Sequence, residues 1–295
     1  MKVLNYGSLN VDNVYTVHHI VQGGETILSS KLEQFPGGKG LNQSVALARA
    51  GVPVYHAGLV GEDGSMLLDV CRENGVDTTY VKTLPVKGGH TVIQVDANGQ
   101  NCIILYGGTN QMQTKEYIDQ VLADFSEGDY LILQNEVNLL DYIIDRAYER
   151  GMKIVLNPSP FDEKLSACDL TKVYLFMLNE IEGGQFTGCS DKDQILEQLA
   201  AKFPKARFVL TLGSDGAVYY DGKEKIFQGI FKVKAVDTTA AGDTFTGFFM
   251  ASVIAGDPVD QALRTAAKAS SIAVSRPGAT PSIPTMAEVR EALAQ

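Results

Sequence analysis

Cysteine and histidine are scarce in this sequence, with four of each in 295 residues. The cysteines are far apart and form no C-x-x-C pair: Cys71, Cys102, Cys168 and Cys189. Only one pair of histidines is adjacent, so we expect neither a zinc site nor a disulfide framework. The pattern favours reduced thiols and a cytoplasmic location.

Long hydrophobic runs are also missing. The first residues, MKVLNYGSLNVD, contain an apolar stretch too short for a signal peptide, and no later run reaches the ~18 apolar residues typical of a transmembrane helix. Low-complexity tracts, fixed-period repeats and charged tails are absent as well. We therefore expect no contact with a membrane.

Positive charge is in deficit, with 25 Lys and Arg against 35 Asp and Glu and a net charge of -10. Nucleic acid and anionic membranes are poor partners for such a chain, although a local basic pocket could still hold a phosphate. The hydrophobic share of 45% in 295 residues is sufficient for a sizeable core.

Three enzyme fingerprints are absent. The P-loop pattern G-x-x-x-x-G-K-[ST] fails because Lys39 is followed by glycine, and no G-x-G-x-x-G follows a predicted strand. No G-x-S-x-G follows a predicted strand either. P-loop NTPases, Rossmann-type dehydrogenases and α/β hydrolases are therefore disfavoured.

The chain does contain a regular alternation of strand-like and helix-like segments from about residue 128 onward. Apolar runs lie at 129–134, 153–160, 173–180 and 207–213, with helix-like stretches at 139–151 and 191–203. This alternation predicts right-handed βαβ units around a mostly parallel sheet that is covered on both faces. The last fifth of the chain is predicted to be helical, interrupted by a loop at 276–284.

Two earlier regions depart from that alternation. The segment 90–108 contains Asn98-Gly99 between β-rich flanks, which is a strong hairpin signal. Together with 11–21 and 26–38, it predicts a small sheet beside the main one, with lid segments at about 11–38 and 88–108. Extra edge strands of the main sheet are the alternative.

Two glycine-rich turns lead into predicted helices: PGGKGLNQSVALARAG (36–51) and DTTAAGDTFTG (237–247). A helix amino end presents free N–H groups to an anion, and glycine lets the backbone approach a ligand closely. Taken alone, the first turn is equally compatible with an ordinary loop. Asp243, in the second, is explained as a first-turn carboxylate that the helix dipole stabilises by ~0.3 to 1 kcal/mol.

Seven segments in order along the chain resemble the signatures of the PfkB-type, ribokinase-like family of carbohydrate kinases: GSLNVD (7–12), GGKGLNQSVALARAG (37–51), LNPSP (156–160), NEIE (179–182), TLGSDG (211–216), DTTAAGDTFTGFF (237–249) and RPGATPSIP (276–284). The resemblance implies an α/β fold, a three-layer αβα sandwich with a mostly parallel central sheet and a small β-sheet lid. It further implies one kinase domain over 1–295 that transfers the γ-phosphate of ATP to a sugar hydroxyl.

The same resemblance implies roles for individual residues. Asp243 would be the catalytic base, and the backbone N–H groups of Ala240, Ala241, Gly242 and Asp243 would form an anion hole. Mg²⁺ would be held, through water, by Asn179 and Glu182, although these two could simply cap the following helix. ATP would contact Asn179, Thr211, Gly213, Ser214, Gly216 and Gly242.

A monovalent cation site is implied next to the anion hole. Its K⁺ ligands would be Asp237, Thr239, Ala273, Arg276, Gly278 and Ser282, and for Asp237 the alternative is a salt bridge. Homodimerisation through the lid is also implied.

The sugar would contact Asn10, Asp12, Gly38, Lys39, Asn42, Glu136 and Asp243. Two carboxylates beside amides suit a neutral polyol and would repel a phosphorylated sugar. D-Ribose, giving D-ribose 5-phosphate, is therefore the first expectation, with deoxyribose, fructose, 2-keto-3-deoxygluconate and nucleosides as alternatives. A non-catalytic sugar- or nucleotide-binding regulator is disfavoured, because Asp243, Asn179 and Glu182 are all present.

Overall fold

The computed structural model of this protein describes residues 1–294. The strands are β1 (Val3–Tyr6), β2 (Asn10–Thr16), β3 (Lys31–Gly37), β4 (Val54–Val60), β5 (Asp77–Thr83), β6 (Gly89–Val95), β7 (Asn101–Tyr106), β8 (Tyr130–Gln134), β9 (Lys153–Asn157), β10 (Leu175–Asn179), β11 (Arg207–Thr211), β12 (Ala217–Tyr220) and β13 (Lys225–Gln228). The helices are α1 (Lys39–Arg49), α2 (Ser65–Glu73), α3 (Lys115–Leu122), α4 (Leu140–Glu149), α5 (Glu180–Thr187), α6 (Lys192–Lys202), α7 (Ala241–Ala255), α8 (Val259–Val274) and α9 (Met286–Ala294).

Nine of these strands form a central sheet in the order β13-β12-β11-β10-β9-β8-β1-β4-β5. The pairs from β11 through β10, β9, β8, β1 and β4 to β5 are parallel, whereas β12 and β13 add an antiparallel edge. All five residues of β8 are buried, as expected for a parallel strand with both faces covered.

Alternate side chains of the central strands enter two separate hydrophobic cores. In β9, Val155 faces one core, whereas Ile154 and Leu156 face the other. The first core includes side chains of α1, α2, α7, α8 and α9, and the second includes side chains of α3, α4 and α6. The predicted three-layer αβα sandwich is confirmed. No helix within residues 1–294 has the length and apolar character needed to cross a bilayer.

The remaining four strands form a second sheet in the order β3-β2-β6-β7. β2 pairs antiparallel with β3 and parallel with β6, and β6 pairs antiparallel with β7. The β6–β7 hairpin turns at Asn98-Gly99, where Gly99 has a φ of 77° and Asp96 accepts hydrogen bonds from the N–H groups of Asn98 and Gln100. These strands are therefore a separate sheet rather than edge strands of the main one.

Several predicted strands are shorter in the structure. The segment 153–160 is extended only to Asn157, because Pro158 has no N–H to continue the ladder. The segment 26–38 becomes a strand only at Lys31.

Candidate active site

The candidate site lies where α1 and α7 begin, beside the carboxyl ends of the central strands. α1 follows Gly38, whose φ is 96°, and α7 follows Ala240, whose φ is 57°. The two helices approach closely at Gly247, where an added Cβ would lie 2.4 Å from the Cβ of Ala46. This contact brings the two glycine-rich turns together, although they are distant in sequence.

Asp243 lies in the first turn of α7 with only 9% of its surface exposed. Its Oδ2 accepts a hydrogen bond from Asn42 Nδ2 at 3.1 Å, and its Oδ1 accepts one from Gln43 Nε2 at 3.0 Å. Asn42 Oδ1 in turn accepts from the Thr280 hydroxyl at 3.1 Å. Asn42 was expected to contact the sugar, and the structure shows it holding Asp243.

The turn before α7 leaves backbone N–H groups unused. The Ala241 N–H donates to the Thr238 carbonyl at 3.2 Å. For the N–H groups of Ala240, Gly242 and Asp243, the described part of the chain offers no backbone acceptor. These three groups are therefore available to an anion at the positive end of the helix dipole.

A cavity of about 210 Å³ opens in front of Asp243. The predicted site residues that line it are Lys39, Asn179, Glu182, Thr211, Ala240, Ala241, Gly242 and Asp243. Burial acts to lower the pKa of Lys39, but the negative charges of Asp243, Glu136 and Glu182 outweigh it and raise the pKa. Lys39 is thus a stable positive charge beside a potential phosphate site.

Glu136 follows β8 and lies beside Ser8 and Lys39. Its Oε2 accepts hydrogen bonds from the Ser8 hydroxyl and from the Lys39 N–H, the latter at 3.1 Å. Burial raises the pKa of Glu136, against the opposing effects of the Lys39 charge and the Ser8 hydrogen bond. Gly38 adjoins this group, since a Cβ there would lie 2.9 Å from the Ser8 carbonyl oxygen.

Asn10 and Asp12 lie on β2, where the small sheet meets the main one. Asp12 Oδ1 accepts from the Thr91 hydroxyl at 2.7 Å, and Asn10 Oδ1 accepts from Asn110 Nδ2 at 2.7 Å. Burial raises the pKa of Asp12, and the Thr91 hydrogen bond opposes that rise. A Cβ on Gly37 would lie 2.0 Å from Asp12 Oδ2, so a larger residue at position 37 would displace this carboxylate.

Asn179 and Glu182 form the capping box of α5. The Glu182 N–H donates to Asn179 Oδ1 at 2.9 Å, and the Asn179 N–H donates to Glu182 Oε2 at 3.0 Å. The capping role considered from the sequence is therefore present. It leaves Glu182 Oε1, on a buried side chain lining the cavity, available to another partner.

A second cavity of about 680 Å³ adjoins the first. The predicted nucleotide residues Thr211, Gly213, Ser214 and Gly216 line one side, and Phe245 and the α8 residues Ala267, Ser270, Ser271 and Val274 line the other. The two cavities share Thr211, Thr238, Ala241 and Gly242. Such an apolar slot leading to a helix amino end suits a flat ring that carries phosphates.

Asp237 lies in the loop before α7. Its Oδ1 accepts from the N–H and hydroxyl of Thr239 at 2.9 and 2.6 Å, and its Oδ2 accepts from the Gly278 N–H at 2.9 Å. Within residues 1–294 it forms none of the ion pairs, so the salt bridge considered from the sequence is not seen.

Three other predicted cation ligands form internal hydrogen bonds. The Ser282 hydroxyl donates to the Ala279 carbonyl at 2.7 Å, and the Ala273 carbonyl accepts from the Arg276 N–H at 3.0 Å. The Arg276 side chain pairs with Glu288 at 2.7 Å. These contacts hold together the loop that follows α8.

Comparison with known proteins shows which family this chain belongs to. The family model for pfkB family carbohydrate kinases matches residues 1–286. The chain belongs to this family. It is accordingly a phosphotransferase that acts on a sugar hydroxyl.

Several curated relatives of this pfkB family kinase are similar over nearly their full length. The ribokinase of Haemophilus influenzae is 35% identical, over 97% of this chain and 96% of its own. The ribokinase of Bacillus subtilis is 32% identical over 97% of each chain. A deoxyribokinase of Salmonella typhi is 29% identical over 99% of each chain.

Solved ribokinase structures share the fold. The Thermotoga maritima ribokinase superposes with a TM-score of 0.89 at 30% identity, covering 100% of both chains. The Arabidopsis thaliana ribokinase, solved with ribose and ATP, gives a TM-score of 0.88 at 28% identity, covering 100% of this chain and 99% of that one.

Four polar residues of this site were not identified by the sequence analysis. Ser8, Gln43, Thr91 and Asn110 each hold a predicted site residue in place. Ser8 and Gln43 lie within recognised signature segments, so their neighbours offered a hint. Thr91 reaches Asp12 because β6 pairs with β2, and Asn110 reaches Asn10 from the segment after β7, which the sequence pattern does not indicate.

Proposed function

We propose that this pfkB family kinase transfers the γ-phosphate of ATP to a hydroxyl of D-ribose, giving D-ribose 5-phosphate, with Asp243 as the base. The observation that carries the proposal is the position of Asp243. Its buried carboxylate is held by two amides at a helix amino end, in a cavity shared with Lys39 and Glu182. The ribokinase relatives and the ribose and ATP complex of the Arabidopsis enzyme support the choice of substrates.

The sugar occupies the space between β2 and the turn before α1. Asp12 and Glu136 accept hydrogen bonds from its hydroxyls, and the amide of Asn10 adds a donor. The hydroxyl that reacts faces Asp243, which takes its proton. Because phosphoryl transfer passes through a loose transition state, the alignment of this carboxylate matters more than its base strength.

The phosphate chain of ATP runs from the apolar slot towards α7. The free N–H groups of Ala240, Gly242 and Asp243, together with the charge of Lys39, stabilise the negative charge that develops on the transferred group. This arrangement needs no covalent intermediate on the protein.

Two cations complete the proposal. Glu182, with its Oε1 unused, and Asn179 would hold Mg²⁺ through water, where the ion neutralises phosphate charge. Asp237 is a carboxylate without a cationic side-chain partner in the described chain and would hold K⁺. Thr239, Ala273, Arg276, Gly278 and Ser282 would supply the remaining oxygens.

A homodimer through the small sheet is part of the proposal. β7 is an edge strand whose residues Ile103, Ile104, Leu105 and Tyr106 are all exposed. An apolar edge of this kind is unusual unless another chain covers it.

2-Deoxyribose is the second candidate substrate. The Thr91 hydroxyl already uses Oδ1 of Asp12, which leaves fewer acceptors for sugar hydroxyls, and one relative is named deoxyribokinase. The two sugars differ by one hydroxyl, so the number of hydrogen bonds that Asp12 can still accept from the sugar decides between them.

A coupled ATP-consumption assay tests the substrate and the base together. We expect the largest kcat/KM for ribose among ribose, 2-deoxyribose, fructose, 2-keto-3-deoxygluconate and nucleosides. The Asp243→Asn variant should bind ATP and sugar with near-normal affinity and lose roughly 10²- to 10⁴-fold in kcat. Turnover above about a tenth of the wild-type value would remove Asp243 from the role of base.

The cation site has its own test. Activity should rise when K⁺ replaces a large monovalent cation, and Asp237→Asn should abolish that response. Asp221→Asn is the matched control, because Asp221 also accepts backbone N–H bonds in a turn. Indifference of the wild-type enzyme to K⁺ would exclude the site.

A further inference from the structure

A continuous chain of buried polar side chains runs from Asp243 across the central sheet beneath α1. Its members are Gln43 and Ser44 on α1, Gln134 on β8, Asn5 on β1 and His56 on β4. The successive hydrogen bonds are Gln43 Nε2 to Asp243 Oδ1 at 3.0 Å, Gln134 Nε2 to Gln43 Oε1 at 2.7 Å, Gln134 Nε2 to Asn5 Oδ1 at 2.9 Å, Asn5 Nδ2 to Ser44 Oγ at 2.8 Å and Ser44 Oγ to His56 Nδ1 at 2.7 Å.

The direction of each amide in this chain follows from one backbone carbonyl, that of Gly40. Asn5 Nδ2 donates to it at 2.7 Å, and a carbonyl can only accept, so Asn5 Oδ1 faces Gln134. Gln134 must then present its NH₂ group, which also donates to Gln43 Oε1. The remaining end of Gln43, its NH₂ group, is thereby directed at Asp243.

The reverse orientation of Gln43 is unfavourable in this setting. Its Oε1 would face the Asp243 carboxylate, and its NH₂ group would face the NH₂ group of Gln134. Each contact would leave like groups unpaired in a buried site, where an unmade hydrogen bond costs most. We call the hydrogen-bonded series Asn5, Gln134, Gln43 and Asp243 the relay. It determines which end of the Gln43 amide, the oxygen or the NH₂ group, faces Asp243.

One polar atom of the relay lacks a hydrogen bond, which is unfavourable in a buried site. Gln134 Oε1 is buried and has no hydrogen-bond partner in the described structure. Its space also depends on Gly7, because a Cβ there would lie 2.2 Å from that oxygen. A buried unsatisfied acceptor is disfavoured unless the orientation it accompanies is useful.

We propose that Gln43 is a positioning residue for Asp243, and that Gln134 acts through Gln43 by fixing the direction of its amide. The inference rests on the proposed function, in which Asp243 is the base. Asn42 holds one carboxylate oxygen and Gln43 the other, so the carboxylate plane is set by two donors on one helix. Asp243 thus remains aligned when no sugar is bound.

Substitution by methionine tests the relay, because methionine keeps the length of glutamine and lacks its amide. For Gln43→Met we expect kcat to fall about 10- to 100-fold, as for a small misalignment of a reacting group. The KM values for sugar and ATP should change less than about threefold, since uniform binding is not affected. Gln134→Met should give a smaller loss of the same kind.

The split between kcat and KM is the readout that distinguishes misalignment from weakened binding. Lost alignment of Asp243 lowers kcat alone, whereas general structural damage changes both quantities. The charged groups that face Asp243 are Lys39 on α1, Glu136 after β8 and Glu182 on α5, and none is changed by the substitution.

The double variant separates a relay from independent structural damage. Because Gln134 acts through Gln43, the pair Gln43→Met and Gln134→Met should lose no more kcat than Gln43→Met alone. Gln113→Met is the matched control: Gln113 is equally buried, but its partner is the Tyr6 hydroxyl at 2.9 Å. It should leave kcat and both KM values unchanged.

Three results would overturn the inference: an unchanged kcat in Gln43→Met, a loss confined to KM, or losses that multiply in the double variant. If Gln43→Met does not fold, Gln134→Met, which leaves Gln43 and Asp243 in the chain, is measured in the same way. The Asp243→Asn variant distinguishes failure of the proposed base from failure of the proposed relay. Retained turnover in that variant removes the base itself, whereas an inactive Asp243→Asn beside a normal Gln43→Met removes only the relay.

Discussion

Asp243 shows how a residue acquires a role from the groups around it. A carboxylate at a helix amino end is common, because the dipole favours it by ~0.3 to 1 kcal/mol. Here it is also buried, held by Asn42 and Gln43, and placed beside Lys39 in one cavity. Those contacts make it a candidate base rather than a capping group.

His56 is the residue whose titration should matter most for stability. It is fully buried, and burial lowers its pKa from 6.5 to about 4. Between these two values the unfolded chain binds a proton at this position and the folded protein does not. Stability therefore decreases as pH falls from 6.5 to 4, by up to about 3 kcal/mol.

Urea unfolding between pH 7.5 and 4.5 measures this effect. The His56→Asn variant should be less stable than wild type at neutral pH and should show a flatter pH dependence. His18→Asn, at an exposed position, is the matched control and should keep the wild-type slope. An unchanged slope in His56→Asn would rule out His56 as the source.

At the scale of elements, the contact between α1 and α7 determines the geometry of the site. α1 carries Lys39, Asn42 and Gln43, and α7 carries Asp243 and the free N–H groups. The distance between the helices is set at Gly247, which packs directly on Ala46. Any change there moves Asp243 relative to the groups that hold it.

Gly247→Ala should therefore destabilise the protein despite the better helix propensity of alanine. The new Cβ would lie 2.4 Å from Ala46 Cβ and 2.9 Å from the Ala46 carbonyl carbon. Overpacking of this kind costs ~1 to 3 kcal/mol, which exceeds the helix-propensity gain of up to ~1 kcal/mol.

Thermal unfolding and kcat measure the outcome. The pair Gly247→Ala and Ala46→Gly should recover only part of both quantities, because it removes the contact with Ala46 Cβ and leaves the 2.9 Å contacts with the Ala46 carbonyl carbon and Leu47 N. A Gly247→Ala variant with wild-type stability and turnover would show that α1 and α7 are not tightly coupled.

At the scale of the whole molecule, the small sheet is both a wall of the proposed sugar site and an exposed apolar surface. Its central strands β2 and β6 carry Asn10, Asp12 and Thr91, whereas its edge strand β7 is exposed along its entire length. A second copy of the chain covering β7 would protect this edge and hold the wall in place.

Analytical ultracentrifugation at micromolar concentration should show a dimer for the wild-type protein. Ile104→Lys should give a monomer, because Ile104 is 61% exposed on the edge strand and a buried lysine there would be unpaired. Ile181→Lys, with Ile181 68% exposed on α5, is the matched control and should remain dimeric. A wild-type monomer would contradict the proposed interface.

The sequence by itself determined the elements and the chemistry of the principal groups. Apolar runs such as 129–134 became buried parallel strands, Asn98-Gly99 marked the hairpin, and Asp243 stood at the start of a helix. These features depend on neighbouring residues, because hydrophobic periodicity and turn chemistry act over a few positions.

Only the tertiary structure decided which polar groups hold one another. Gln43 and Asp243 are 200 positions apart, and Asn10 and Asn110 are 100 apart, yet each pair shares a buried hydrogen bond. The partner of a buried amide depends on distances that are set when helices and sheets pack, not on its neighbours in sequence. For that reason Asn42 could be expected at the site from its motif, but its hold on Asp243 emerged only from the packing of α1 against α7.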